Sequence, residues 1–228
     1  GNFTSTFTLA NFEDTTTGAN VYAAALNTAS RITMNAHYGV RTGQDFENDP
    51  NGLVFWRGDQ PYPGCVVTRN VGADMTYATI QSAVDSLPGT LTGHSCVIIE
   101  DGATYAEQVT VQNFINNGSS ISIFTNPGVG SRAVVDPPIA STAAFFIKNA
   151  SVNVYGIDVK PTVQQVSYGV FASSSYVRVS SLSVDASGLI WQAGVLVSSW
   201  STISYTSITV SAAHGIWLQG SSMTTVSY

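Results

Sequence analysis

The chain has 228 residues, of which 44% are hydrophobic and only 10% are charged, against about 25% charged residues in an average globular protein. This balance excludes an intrinsically disordered chain, and the length is sufficient for a large hydrophobic core. The net charge of −6 argues against nucleic acid or an anionic membrane surface as a partner, and no apolar run approaches the roughly 20 residues that span a bilayer.

Residues 1–64 show no regular repeat and contain several turn sequences, such as Asp49-Pro50-Asn51-Gly52 and Pro61-Tyr62-Pro63-Gly64. We expect this segment to be irregular and to pack on, or to cap, a repetitive domain formed by residues 65–228. A low charge combined with many Ser, Thr, Asn and Gly residues is typical of extracellular β-proteins. The composition therefore favours a secreted or cell-surface location.

Within this segment, oxygen-bearing side chains occupy alternate positions at Asp45, Glu47, Asp49 and Asn51. Alternate residues of a tight loop converge on one centre, as they do in calcium-binding loops. Pro50, however, stands where a loop of the EF-hand type has glycine, and no bidentate glutamate follows at the expected distance. Two interpretations stay open, a calcium site and a solvated acidic turn, and calcium is the only cofactor that the sequence suggests.

The chain contains two cysteines, Cys65 and Cys96. They are compatible with a single disulfide and equally compatible with two buried free thiols. The three histidines, His37, His94 and His214, are isolated in the sequence and lack the spacing that is typical of metal ligands or of a catalytic triad.

A short helix is predicted over residues 79–87. It begins at a hydroxyl side chain able to cap it, Thr79, and it is followed by Pro88, which stops it. Its apolar residues would share one face: Ile80, Ala83, Val84 and Leu87. Because this segment precedes the repeats, the helix would cover the open end of a stack of strands.

From about residue 96 onward, short β-branched segments recur at a nearly constant spacing. One column consists of residues 145–147, 170–172, 195–197 and 216–218, offset by 25, 25 and 21 residues. A second column consists of Val154, Val179, Ile203 and Val226, and a third aligns residues 157–159 with 182–184 and 208–210, offset by 25 and 26. Three short strands in each such repeat indicate one turn of a parallel β-helix.

We therefore predict an all-β fold, a right-handed parallel β-helix with a short N-terminal capping α-helix and about five turns over residues 96–228. The hand follows from the chirality of parallel crossover connections. A β-sandwich also has short strands and turns, but it does not require the same residue class to recur in three columns.

The helical segment also carries a family resemblance. Residues 77–88, YATIQSAVDSLP, resemble the opening motif of pectin methylesterases and of the wider pectin-lyase-like β-helix superfamily. Residues 102–109, GATYAEQV, are similar to the esterases' early Gly-x-Tyr-x-Glu region, with the glycine one position removed. The resemblance covers about residues 70–112 and implies the same fold and capping helix. The esterases' catalytic motifs do not occur, and residues 186–228 contain no Asp, Glu, Lys or Arg, so no catalytic residue is transferred.

One outward cluster of charges is predicted on neighbouring coils, formed by Asp158, Lys160 and Asp185. If Ile157 and Val159 point inward, Asp158 and Lys160 point outward, and Asp185 lies one coil above Lys160. A polysaccharide lyase could use such acids with a metal and a basic residue. The alternative is a surface ion pair worth about 0–1 kcal/mol, so these residues are weak catalytic candidates.

The central residues of the first column should form an outward apolar stripe: Phe146, Phe171, Leu196 and Trp217. Alternate residues of a strand face opposite sides, so the flanking residues would point into the core. A soluble monomer rarely leaves such a patch in water. Residues 1–64 or a partner chain could cover the stripe, or it could be an exposed binding surface for sugar rings or a partner protein, with Trp217 as its anchor.

The last coil ends at Tyr228 without a capping element, and an uncapped parallel sheet invites pairing. We expect continuation of the chain there, or self-association or docking of a partner subunit. The absent catalytic motifs favour a non-catalytic extracellular module with a structural, adhesive or fibre-forming role, part of a longer repetitive protein. The alternative is a carbohydrate-active enzyme, pectinesterase-like or a polysaccharide lyase, that acts on acidic polysaccharide.

Overall fold

The computed structural model describes residues 62–73, 75–162, 166–173, 175–186, 188–198, 200–211, 213–220 and 224–227. It also describes the backbone of four short strands nearer the N-terminus: β1 (Ala24–Ala25), β2 (Ile32–Met34), β3 (Glu47–Asn48) and β4 (Val54–Trp56). Strand β1 pairs with β3, and β2 pairs with β4, both in parallel. Asp45, Asp49 and Asn51 lie outside the described residues, and the side chain of Glu47 does too, so the calcium interpretation stays a prediction.

The repetitive domain winds through three parallel sheets. The first sheet contains β5 (Val67–Val71), β6 (Ser95–Ile99), β9 (Ile121–Thr125), β12 (Ser151–Tyr155), β15 (Tyr176–Ser180), β18 (Ser201–Ser204) and β21 (Thr224–Ser227). The second contains β7 (Thr104–Tyr105), β10 (Ala133–Val135), β13 (Ile157–Val159), β16 (Ser183–Asp185) and β19 (Ser207–Thr209). The third contains β8 (Val109–Gln112), β11 (Ala143–Lys148), β14 (Val166–Ser173), β17 (Ile190–Val197) and β20 (His214–Leu218).

Each coil visits the three sheets in the same order, and every strand pairs in parallel with the equivalent strand of the next coil. This is a parallel β-solenoid of about 6 turns with little helix, which confirms the predicted parallel β-helix. Strand β5 pairs with β6 and precedes the helix, so the stack begins earlier in the chain than the repeat from residue 96 predicted.

The core is the inside of the solenoid, where rows of Val and Ile stack on one another. The first predicted column is confirmed, because Phe145 pairs with Val170, Val170 with Val195, and Val195 with Ile216. The second column is confirmed through Val154, Val179, Ile203 and Val226. Most of these inward side chains have no exposed surface, because each coil covers the inward row of the next.

The third predicted column is correct for its first two segments, residues 157–159 and 182–184, and wrong for its last segment, residues 208–210. Val159 pairs with Val184 as expected, but Val184 then pairs with Ile208 rather than with Val210. The two alignments differ by two residues. A shift of two leaves every side chain on the same face of a strand, so the apolar pattern could not distinguish between them.

The predicted helix forms as α1 (Ile80–Asp85) and ends two residues earlier than residue 87. The Thr79 side chain caps it by accepting the Ser82 N–H, as expected. Ile80, Ala83 and Val84 are buried in the core cluster against the first coils. At the end of the helix, the Ser86 hydroxyl donates to the Ala83 carbonyl and the Leu87 N–H donates to the Val84 carbonyl. Pro88, which has no N–H to donate, then follows.

Candidate functional site

The outward face of the first sheet carries two neighbouring columns of side chains, because residues i and i+2 of a strand point the same way. One column follows the strand register from coil to coil: Cys96, Ser122, Asn153, Arg178, Thr202 and Thr225. The other column lies two residues earlier in each strand and contains Ser151 and its partner Tyr176. Between them runs an open groove of about 560 Å³, lined by Gly118, Ser119, Ser120, Ser151, Asn153, Tyr176, Val177, Arg178, Trp200, Ser201, Thr202, Thr224 and Thr225.

One end of this groove is aromatic. Tyr176 is 57% exposed and Trp200 is 48% exposed, and their ring centroids are 5.7 Å apart at an interplanar angle of 40°. Trp200 has a φ of 50°, a left-handed backbone that costs a non-glycine residue about 1–2 kcal/mol. The chain therefore holds a large exposed ring at a strained corner beside the groove.

The remainder of the groove is polar and mostly uncharged. The Asn153 side-chain amide donates to the hydroxyls of Ser120 and Ser122, at 3.3 and 3.1 Å. The two ring nitrogens of His94 lie 2.9 Å from the Ser120 hydroxyl and 3.1 Å from the Ser122 hydroxyl. These contacts orient the amide and hydroxyl groups across three coils. Arg178 is exposed, and none of the described residues that line the groove is acidic.

The two cysteines form a disulfide, which decides between the two sequence interpretations. Cys96 belongs to a small hydrophobic cluster outside the main core, with Ile98 and Phe124. The Phe124 ring stacks on Tyr155 with centroids 4.6 Å apart and meets Tyr62 edge to face at 5.1 Å. This cluster covers the N-terminal coils on the same face as the groove.

The cluster predicted from the charges lies on the second sheet, away from the groove. Asp158 forms ion pairs with two cations, with Lys160 Nζ 3.5 Å from one carboxylate oxygen and Arg132 Nη1 3.5 Å from the other. Asp185 is exposed at the end of its strand and forms no ion pair with a described residue. The structure thus brings Asp158 and Lys160 together and leaves Asp185 outside their pairing. Their catalytic role stays a prediction.

The predicted apolar stripe lies on the third sheet, with its four residues in register. The Phe146 and Phe171 rings stack with centroids 5.2 Å apart and planes 6° from parallel. Trp217 is 37% exposed, but Leu196 is only 1% exposed. The flanking inward residues are buried as expected in the first three strands, but in the last one Ile216 is half-buried and Leu218 is 44% exposed. At Leu196 the stripe is covered. Whether the stripe binds a partner stays a prediction.

Two half-buried acids stabilise the first coils and the start of α1. The Glu107 carboxylate accepts the backbone N–H groups of Ile80 and Gln81 at 2.8 and 2.9 Å, so it anchors the start of α1. Glu100 accepts from the amides of Asn70 and Asn126, which lie at the same corner of the neighbouring coils. Burial raises the pKa of both carboxyl groups, and the hydrogen bonds that they accept oppose this effect.

The groove is not among the sites predicted from the sequence. The repeats are recognised by their inward apolar rows, whereas the groove depends on the outward positions of the same repeats. The signal is present, because Asn153, Arg178 and Thr202 recur at offsets of 25 and 24 residues, and Tyr176 and Trp200 at an offset of 24. Alignment of the polar positions within each repeat would have placed them in two columns.

No protein-family model matches the chain, and comparisons with curated proteins and with solved structures find no similar protein. The resemblance to pectin methylesterases therefore has no support beyond the fold, and the parallel β-solenoid stands on the structure itself. In the described part of the chain, no helix is long and apolar enough to cross a membrane.

Proposed function

We propose that this chain is an extracellular or cell-surface β-helix module that binds carbohydrate through the groove of the first sheet and acts in adhesion. The observation that carries the proposal is the exposed ring pair of Tyr176 and Trp200 at one end of a groove of hydroxyl and amide groups.

The chemistry of sugars matches this arrangement. A pyranose ring has faces of C–H groups that pack on aromatic rings, and a rim of hydroxyls that both donate and accept hydrogen bonds. Tyrosine and tryptophan combine an apolar ring with a polar edge, so they suit a ligand that is apolar on its faces and carries polar hydroxyl groups at its rim. Serine and threonine hydroxyls and the Asn153 amide supply both donors and acceptors.

The shape of the groove favours a polymer over a small molecule. Pockets for small ligands enclose most of the ligand surface, whereas this groove is open along its length and crosses several coils. Its lining extends from Gly118, before β9, to Thr225 in β21. An extended saccharide chain could contact successive coils, each of which adds a few weak interactions.

A non-catalytic role is part of the proposal. Two features support it: the sequence lacks the catalytic motifs of the family that it resembles, and the described residues that line the groove include no carboxylate to act as acid, base or nucleophile. The tyrosine, tryptophan, serine, threonine and asparagine side chains suit binding and orientation of a ligand.

The test is a binding assay of the purified chain on a panel of immobilised plant, algal and bacterial polysaccharides. We expect binding to at least one polymer and a loss of at least ten-fold in affinity for Trp200→Ala, or about 1.4 kcal/mol, because an aromatic anchor is removed. Trp191→Ala is the matched control, since Trp191 is 60% exposed but lies on the third sheet. Absence of binding to every polymer, or equal losses in both variants, would contradict the proposal.

A further inference from the structure

Three side chains with metal-binding atoms converge beside the first sheet: Cys65, His94 and Cys96. One ligand atom from each lies within 4.8 Å of the other two. Cys96 is buried, and Cys65 and His94 are half-buried. In the described part of the chain, this is the only place where three or more His, Cys, Asp or Glu side chains come so close together.

The backbone positions these residues independently of the disulfide. The N–H of Cys65 donates to the Tyr62 carbonyl at 3.0 Å, and the N–H of Val66 donates to the His94 carbonyl at 2.7 Å. Cys96 lies within β6, where it pairs with Thr68 on one side and Ser122 on the other. The Cα atoms of the two cysteines are 5.8 Å apart. Reduction of the disulfide would therefore leave the two thiols next to each other and next to the imidazole.

The imidazole already has the partners that a metal-bound histidine needs. A histidine that binds a metal through one ring nitrogen usually donates its other N–H to a nearby acceptor, which fixes the ring orientation. The two His94 nitrogens contact the hydroxyls of Ser120 and Ser122. Metal binding would displace one serine, and the other serine would still accept the remaining N–H.

We propose that reduction of the Cys65–Cys96 disulfide creates a site for Zn²⁺, bound by the two thiolates and by His94. This site adjoins the carbohydrate groove, because Ser120 lines the groove and also contacts His94, but it does not rest on the proposed function. Two thiolates and an imidazole are a donor set that zinc prefers, and three protein ligands leave the fourth tetrahedral position for water. In the oxidised protein the sulfurs are bonded to each other and are not thiolates, so the site exists only in the reduced state.

The reaction balances with a dithiol as the reductant. One thiolate of the dithiol attacks a disulfide sulfur, the second then displaces the protein thiolate, and the dithiol leaves as a cyclic disulfide. Two electrons and two protons pass to Cys65 and Cys96. Binding of Zn²⁺ then releases the two thiol protons to solvent, so binding weakens as the pH falls.

The experiment uses the full chain, reduced with dithiothreitol and freed of it by anaerobic gel filtration. Zn²⁺ is titrated in competition with a chromogenic chelator, and Cd²⁺ is titrated while its ultraviolet thiolate charge-transfer band is recorded. We expect one equivalent of each ion in the reduced protein and none in the oxidised protein. Cys65→Ser/Cys96→Ser should bind neither, and His94→Gln should bind Zn²⁺ at least ten-fold more weakly. His214→Gln is the matched control and should bind like the wild type.

Two further measurements do not depend on how well the variants fold. Zn²⁺ should raise the Tm of the reduced wild-type chain and leave that of the oxidised wild-type chain unchanged. In the proton NMR spectrum, Zn²⁺ should shift the ring resonances of His94 and not those of His214. The proposal is overturned if the reduced protein binds no more Zn²⁺ than the double serine variant, if His94→Gln binds as tightly as wild type, or if either of these two signals is absent.

Discussion

Single polar residues connect neighbouring coils of the solenoid. Glu100 is the clearest case, because its two carboxylate oxygens accept from Asn70 in the preceding coil and from Asn126 in the next coil. Glu107 has a similar role toward α1. Both are acids whose charged form pays a desolvation penalty that the hydrogen bonds offset only in part.

A pH dependence of stability follows from Glu100. Its folded-state pKa is raised above the ordinary value of 4.5, first by burial and also by Asp101. Its contribution to stability is therefore fully present below the unfolded pKa and is lost as the pH rises through the folded pKa. We expect Glu100→Gln to flatten the fall in unfolding free energy above about pH 4.5, measured by urea denaturation. Part of the pH dependence should remain in this variant, because the pKa of Glu107 is raised too. An unchanged slope in Glu100→Gln, with Asp185→Asn as the control, would refute this.

Removal of the Glu107 carboxylate tests the anchor of α1. Glu107→Ala leaves two backbone N–H groups without their charged acceptor, so we expect a loss of about 1–3 kcal/mol in the free energy of unfolding. Asp185→Ala, at an exposed acid, should change it by no more than about 0.5 kcal/mol. If chemical denaturation gave the same change in unfolding free energy for Glu107→Ala and Asp185→Ala, the Glu107 carboxylate would not stabilise the fold.

At the scale of strands, glycine permits the closest approach between coils. A Cβ built on Gly169 would lie 2.5 Å from the Gly194 carbonyl oxygen. One built on Gly194 would lie 2.4 Å from Ile208 Cγ2 and 2.9 Å from the Gly215 carbonyl oxygen. These glycines are therefore required where the third sheet passes against the second.

Substitution of one of these glycines should lower the free energy of unfolding. Gly194→Ala forces a methyl group into Ile208 and into the adjacent backbone, and overpacking of this kind costs about 1–3 kcal/mol. Gly130→Ala is the matched control, because a Cβ there meets nothing within 4 Å. The comparison is made by thermal and chemical unfolding, and equal stability of the two variants would contradict the packing argument.

The sequence predicts strands and inward rows well because one periodicity, that of the apolar residues, specifies both. It predicts corners less well. Gly156, Ser181 and Tyr205 each follow a strand of the first sheet and have positive φ values of 64°, 49° and 49°. Only one of them is glycine, so the usual sign of a left-handed turn is absent at the other two positions. Contacts between side chains of different coils, such as His94 with Ser120, depend on the strand register, so they could not be predicted from the sequence either.

At the scale of the whole molecule, the order of the sheets decides which surfaces can associate. Among the described strands, β19, β20 and β21 each have a partner on one side only. The exposed inward residue Val226 shows that the last inward row lacks a covering coil within the described chain. Such edges template further pairing.

We therefore expect the isolated chain to self-associate through these strands. Sedimentation velocity should show a concentration-dependent shift to larger species. Val226→Lys puts a charge into the inward row and should keep the chain monomeric, whereas Thr225→Lys places the charge outward and should associate like the wild type. A single monomeric species at the highest concentration tested would contradict this expectation.

The disulfide also affects how the chain would respond to mechanical tension. In a solenoid pulled by its ends, force follows the covalent chain, and coils would unwind from the ends one after another. Cys65 lies just before β5 and Cys96 lies within β6, so the crosslink joins two neighbouring coils. Tension that enters from the N-terminal side passes directly from one sulfur to the other. The segment between the two cysteines, which contains α1, transmits no force, so the first coils to yield would be those at the opposite end.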